Sequence, residues 1–225
     1  MRNIVSDIVR RTALVGTSIF IFQNSYSQFV NEGNVKINKE TLVSVYLDYR
    51  NTASGNFIND GELHVFENWT NDGIVSYTNS ENGKTFFTGT TEQIIEGTKP
   101  SDFQNIIFNN QTTAIPFHLE ATITVGKLVD FTKGIINADD YGGLVIFKNQ
   151  AFHTNVSTVS FVDGKTENNI DKPFEFPVGD GLYFRPIFYN SDSAEQSVYT
   201  SQYFFKNSNL IHPHTSKEES IIQIN

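Results

Sequence analysis

Three segments early in the chain follow one formula: Phe29-Val-Asn31-Glu-Gly33-Asn-Val-Lys-Ile37, Phe57-Ile-Asn59-Asp-Gly61-Glu-Leu-His-Val65 and Trp69-Thr-Asn71-Asp-Gly73-Ile-Val-Ser-Tyr77. Each reads aromatic, any, Asn, acid, Gly, any, aliphatic, any, apolar. Asn and Gly accept the backbone angles of a tight turn, and the alternation around them has the period of a strand. One such unit is a turn between two strands. Three copies constrain the fold further, because recurrence at fixed offsets suits coils that stack like residue on like residue. We therefore expect Phe29, Asn31 and Gly33, Phe57, Asn59 and Gly61, and Trp69, Asn71 and Gly73 to be equivalent corner residues of a parallel β-helix, a solenoid. The copies start 28 and then 12 residues apart, so the longer interval is expected to hold a loop through 42–56. The same turns also suit hairpins, and an antiparallel β-sandwich stays open as the alternative.

Alternation persists beyond the repeat. From Phe57 to Tyr77 the odd positions hold Phe57, Leu63, Val65, Trp69, Val75 and Tyr77. Asp60, Glu62, His64, Asn68, Thr70, Asp72 and Ser76 take even ones, as in a sheet with one wet face. With 20 Phe and 9 Tyr, and no stretch of sustained helical period, strands are expected throughout. Near Asp163 the character changes. Residues 168–173 are polar and turn-rich, and strand patterns then flank Pro177-Val-Gly179-Asp-Gly181. The expected organisation is a leader at 1–27, a β-solenoid at 28–167 and a small sandwich-like β-module at 168–225 covering the solenoid's strand edges. The sequence ends inside a strand pattern, Ile221-Ile-Gln-Ile-Asn225, so that module is expected to be incomplete.

The leader has the form of an export signal. Arg2, Arg10 and Arg11 precede the uncharged apolar stretch from Thr12 to Phe22, and Ser25 and Ser27 place cleavage before Gln28. The apolar run is too short to span a bilayer. A secreted or cell-surface protein is expected. The chain has 16 basic and 25 acidic residues, a net of −9; removing Arg2, Arg10, Arg11 and Asp7 leaves 13 against 24, or −11. With only Arg50 and Arg185 left as arginines, a phosphate-binding stripe for nucleic acid is excluded, as is attraction to anionic membrane. Cations, neutral glycans and other proteins remain as partners. There is no cysteine, so no disulfide or thiolate chemistry enters.

The Asn-Glu-Gly and Asn-Asp-Gly units resemble the N-terminal region of large secreted, adhesin-like surface proteins of Bacteroidetes. So do Asn137-Ala-Asp-Asp-Tyr-Gly-Gly143, Phe161-Val-Asp-Gly164 and the run from Phe174 through Gly179, Asp180 and Gly181 to Tyr183, Arg185 and Pro186. Such proteins often carry a C-terminal sorting or gliding-motility-associated domain. The resemblance implies a surface-exposed structural or binding role, and no catalytic residue travels with it. It also makes Asp192-Ser193-Ala194 a candidate O-glycosylation sequence, at Ser193.

Candidate chemistry divides between binding and catalysis. A polysaccharide-degrading β-helix enzyme would need clustered acids beside a base, for which Asp139, Asp140, Lys133 and Lys148 are the candidates. Glu32, Asp60 and Asp72 of the repeat would form a calcium-binding stack if they aligned, but acids facing solvent beside hydrogen-bonded Asn residues is the expectation. His212-Pro-His214 is the one close histidine pair, with no third ligand nearby in sequence. His64, His118 and His153 sit singly in strand patterns. Aromatics offer the better lead: Tyr46, Tyr49 and Tyr141 are candidate glycan contacts. No catalytic, cofactor or metal residue is assigned. The expected function is adhesin-like binding or presentation to a glycan or protein on an external surface, with a carbohydrate-binding or polysaccharide-degrading β-helix protein as the alternative.

Overall fold

Corner chemistry winds this chain into coils. A computed structural model describes residues 27–78, 82–170, 172–190 and 197–206, in which all regular structure is strand. The first turn carries β1 (Gln28–Asn31), β2 (Asn34–Ile37) and β3 (Leu42–Val45). The second carries β4 (Asp48–Asn51), β5 (Asn56–Asn59) and β6 (Glu62–Val65), and the third β7 (Trp69–Asn71), β8 (Ile74–Ser76) and β9 (Lys84–Phe87). Two turns then fuse their last two strands, with β10 (Gln93–Glu96) before β11 (Ser101–Asn109) and β12 (Phe117–Leu119) before β13 (Thr122–Lys133). Three strands return as β14 (Ile136–Asn137), β15 (Leu144–Phe147) and β16 (Phe152–Thr154), followed by β17 (Val162–Asp163), β18 (Lys165–Ile170) and β19 (Phe174–Phe176). Last come β20 (Val178–Asp180), β21 (Tyr183–Phe184), β22 (Ile187–Tyr189) and β23 (Ser197–Ser201).

The result is a parallel β-solenoid of about six turns with three faces. Face one is β1-β4-β7-β10-β12-β14-β17-β20, parallel throughout. Face two is β2-β5-β8-β11-β13-β15-β18. Face three is β3-β6-β9, then the second halves of β11 and β13, then β16. The long strands change face at a register shift between Phe103 and Asn105, the bend that a bulge provides.

Inward columns fill the centre. On face one Phe29 lies over Tyr49, Trp69, Ile95 and Leu119. On face three Val45 lies over Val65, Phe87, Phe108 and Phe131. Burying each such side chain contributes about 1.5–3 kcal/mol, which lets the stack hold without cross-links. Trp69 is fully buried, stacked on Tyr49 at 4.3 Å between ring centres, and its indole N–H donates to Ser101 Oγ at 3.0 Å.

Two expectations about the repeat need correction. Phe29, Asn31 and Gly33 and Trp69, Asn71 and Gly73 do share a corner, between faces one and two. Phe57, Asn59 and Gly61 instead form the corner between faces two and three, with Phe57 paired to Val35 and Val75. The true middle copy of the first corner is Tyr49, Asn51 and Gly55, where two extra residues separate Asn from Gly. Residues 42–56, expected as a loop, therefore hold β3, β4 and the start of β5. The confusion has a cause: the Asn side chain caps the glycine N–H in the same way at both corners, Asn31 to Gly33 at 3.0 Å and Asn59 to Gly61 at 3.1 Å.

At the first corner the Asn side chains also bond to one another. Asn31 Nδ2 donates to Asn51 Oδ1 and Asn51 Nδ2 donates to Asn71 Oδ1, each at 2.9 Å, inside the stack. Buried amides require partners, and a ladder of identical residues supplies them only in register.

The C-terminal boundary differs from the expected one. Residue 167 falls inside β18, and parallel pairing continues to Val178 and Gly179 on face one. The last strands then reverse: β21 runs antiparallel to β20, β22 to β19 and β23 to β18. Among the described residues these antiparallel pairings follow the last parallel coil and attach directly to it. The leader up to residue 26, Ser193, the His212–His214 pair and the Ile221–Asn225 ending lie outside the described residues.

Candidate binding face

Face three carries its outward side chains in rows, because every second residue of a strand points out and equivalent residues of successive coils align. Three rows cross its first coils. Leu42, Glu62 and Lys84 form the row beside the second corner; Ser44, His64 and Phe86 form the next. Tyr46 and Phe66 form a third, with ring centres 4.3 Å apart and planes 14° from parallel. His64 stacks on Phe86 at 4.4 Å and 1°. Glu62 Oε1 lies 2.8 Å from His64 Nε2, fixing the imidazole over the Phe86 ring. Tyr46 is 65% exposed and Leu42 61%.

A groove of about 410 Å³ opens at the corner beside the first row, and its wall includes Lys39, Glu40, Leu42, Glu62 and Lys84. That volume is within the range of small-molecule sites. The wall mixes ammonium donors with carboxylate acceptors around one apolar residue, an arrangement suited to a polar, uncharged ligand.

The three candidate glycan contacts separate. Tyr46 is on this face. Tyr49 belongs to the core, 1% exposed between Phe29 and Trp69, so it cannot meet a surface ligand. Its neighbours Asp48 and Arg50 point outward, which made the position look like surface in the sequence. Tyr141 is exposed in the turn between β14 and β15, stacked at 4.6 Å on His118 of face one and remote in the fold from Tyr46.

Among the residues considered for catalysis, Lys148, Asp139 and Asp140 are each engaged with other partners. Lys148 Nζ sits 2.6 Å from Asp102 Oδ2 and over the Tyr77 ring. Burial pulls its ammonium down, but Asp102 and Tyr77 outweigh burial and leave it above its ordinary value. Such a lysine stays protonated and is unsuited to removing a proton. Asp140 accepts from Asn137 at 2.8 Å and Asp139 from Gln202 at 2.6 Å, both in turn and end contacts.

The repeat acids do not converge either. Asp60 was expected to face solvent; it is buried, 3.0 Å from Lys36 and bonded by the N–H and hydroxyl of Thr78. Burial alone would raise its pKa, yet those partners together bring it below the ordinary value. Asp72, at the other corner, accepts from Thr98 and pairs with Arg50 at 3.1 Å, and it too is held low, first by Thr98. Glu32 is exposed at the first corner.

A further carboxylate sits near the C-terminal end. Asp163 is buried, and burial, reinforced by the nearby Asp180, Asp139 and Asp140, pushes it up to about 6 against the lowering effect of the Gly181 N–H.

The residues of face three that the sequence reading did not assign to binding are His64, Phe66, Glu62, Lys39 and Lys84. A signal existed: Leu42, Ser44 and Tyr46 recur 20 residues later as Glu62, His64 and Phe66, the length of one coil here. Searching by turn motif instead of by coil length hid it. No protein family, curated protein or solved structure matches the chain.

Proposed function

We propose that the chain is an exported, non-catalytic solenoid module of the adhesin-like kind, which holds a binding surface rigid outside the cell and contacts glycan or protein. The observation that carries this reading is the outward stack of Tyr46 on Phe66 and His64 on Phe86 beside an open groove. Large rings placed on a wet sheet face cost exposure of apolar surface, and a ligand that covers them recovers it. The paired, protonated Lys148 and the turn and end contacts that occupy Asp139 and Asp140 favour binding over polysaccharide cleavage. The acidic balance of the sequence favours neutral glycans and proteins over polyanions.

Two measurements test it. N-terminal sequencing of exported protein is expected to begin at Gln28. A glycan array and a binding screen on intact cells, each run with calcium and with chelator, are expected to show retention that does not need the metal. Silence in both screens sinks the reading, and release of reducing ends from a retained polysaccharide replaces it with an enzyme.

A further inference from the structure

On face three the two stacked pairs each leave one ring face uncovered. Tyr46 has Phe66 against one side, and no ring among the described residues stacks on the other. His64, its side chain 23% exposed, has Phe86 against one side and Phe66 beside it at 6.4 Å; the residue one coil earlier is Ser44, which has no ring to stack on the other side. Both sides look toward the N-terminal end of the solenoid, that of His64 over Ser44 of the first coil and that of Tyr46 away from the second. Between Tyr46 and the groove the strand exposes Ser44 and Leu42, so the surface steps from ring to hydroxyl to apolar contact to mixed charges. Four residues of strand span about 13 Å. That length takes a short oligosaccharide rather than a single sugar ring.

We propose that this strip is a saccharide-binding site for neutral pyranose chains, with sugar rings lying against the uncovered faces of Tyr46 and His64 and hydroxyls bonded by the groove side chains. The proposal rests on the reading of the chain as a binding module and names the ligand class of its face three. A pyranose suits the strip because it is apolar on its C–H faces and polar around its rim. Its polarised C–H groups meet the electron-rich face of an aromatic ring, while the rim hydroxyls both donate and accept. The groove supplies both kinds of partner, Lys39 and Lys84 as donors and Glu40 and Glu62 as acceptors, with charges that cancel. A uronic or sialic acid chain would meet Glu40 and Glu62 here, and around them an exported chain of 13 basic and 24 acidic residues, net −11. A purely apolar protein segment would bury the Lys84 ammonium and the exposed part of the Glu62–His64 pair while offering neither a hydrogen bond, which is unfavourable. The Glu62–His64 contact gives the imidazole a fixed orientation before any ligand arrives, which lowers the entropy lost on binding.

The test uses the full chain as exported, followed by two-dimensional NMR during titration with cellohexaose, maltohexaose and mannohexaose, and with hexagalacturonate as the charged comparison. Tyr46→Ala and Lys84→Ala are compared with Tyr141→Ala, which alters the exposed ring beside face one. The expected result is that at least one neutral hexasaccharide shifts the Tyr46 and His64 side-chain signals in a saturable way. Tyr46→Ala should then weaken that binding tenfold or more, Lys84→Ala by several-fold, and Tyr141→Ala not measurably. Unchanged circular dichroism in Tyr46→Ala confirms that its fold is intact. Preference for hexagalacturonate, shifts confined to Tyr141, or no shift with any neutral hexasaccharide overturns the proposal. The same variants on the glycan array and the cell screen separate the two levels of the argument. Retention that survives Tyr46→Ala sinks this site and leaves the binding-module reading standing, whereas no retention of the unmodified chain sinks both.

Discussion

At the C-terminal end the solenoid is closed by its own chain, with β23 lying antiparallel along β18, β22 along β19 and β21 along β20, whereas β1, β2 and β3 at the other end each have a strand partner on one side only among the described residues. The contrast reaches the interior. Phe174, Phe176 and Val178 near the closed end are buried, while Phe29, which heads the face-one column, is 44% exposed. A stack of parallel coils always ends in unpaired backbone groups, and reversing the chain is one way to satisfy them. At the other end, where no strand among the described residues reverses over β1, β2 and β3, apolar Phe29, Leu42 and Tyr46 lie at the surface. It is the same end at which the proposed binding strip lies.

If burial depth and not sequence similarity sets the value of each column residue, Trp69→Ala should be the most costly change considered. It should lose about 3–5 kcal/mol in denaturant unfolding, while Phe29→Ala in the same column should lose about 1 kcal/mol or less. Equal losses would show that the open end is covered in solution. Next in size is Asn51→Ala, which strips the middle rung from the buried amide ladder and leaves Asn31 and Asn71 each short of a partner. A loss of about 1–3 kcal/mol is expected, against little change for Asn34→Ala on the outer surface, and equal values would contradict the ladder's role. Tyr199 packs tilted against Tyr189, with ring centres 4.1 Å apart, where the closing strands meet. Tyr199→Ala should cost about 1 kcal/mol. It should speed amide exchange at 166–169 without altering β1 to β3, and loss of protection at both ends would mean that they unfold as one unit.

The smallest effect separates the ends by pH. Asp163 has a raised pKa, about 6, so its neutral form is favoured in the folded state. Protection near the closed end should rise as pH falls from 7 through 6 toward 4, and Asp163→Asn should remove that rise. Asp60 and Asp72 are depressed, so their contribution is intact above the ordinary carboxylate range and is lost only as pH falls below it. Protection in the first three coils should therefore stay level from pH 7 to 5 and fall at lower pH. Parallel behaviour of both ends over the whole range would refute the assignment.

Much of the architecture was legible because corners obey local chemistry. An Asn whose side chain caps a Gly N–H makes the same tight turn wherever the chain needs one, so the motif announced coils. By the same token it could not say which corner each copy served, and Phe57 was matched with Phe29 although it faces Tyr49 and Trp69 from another side of the core. Two inserted residues between Asn51 and Gly55 broke the spacing and disguised a whole corner as loop. Tyr46 was recognisable as surface. Tyr49 was not, since its flanking charges said nothing of the column running through it. The partners of Tyr46 lie a full coil away, and only the 20-residue offset joins them.

Parallel in-register pairing fixes more than shape. Successive coils advance by one inter-strand step, about 4.8 Å, so any row of outward side chains forms a ruler whose divisions the backbone sets. A polymer whose own repeat matches those divisions, or a simple multiple of them, meets every mark; one with another repeat drifts out of phase within a few units. Discrimination by periodicity of this kind needs no pocket, and it sharpens with each coil the ligand crosses.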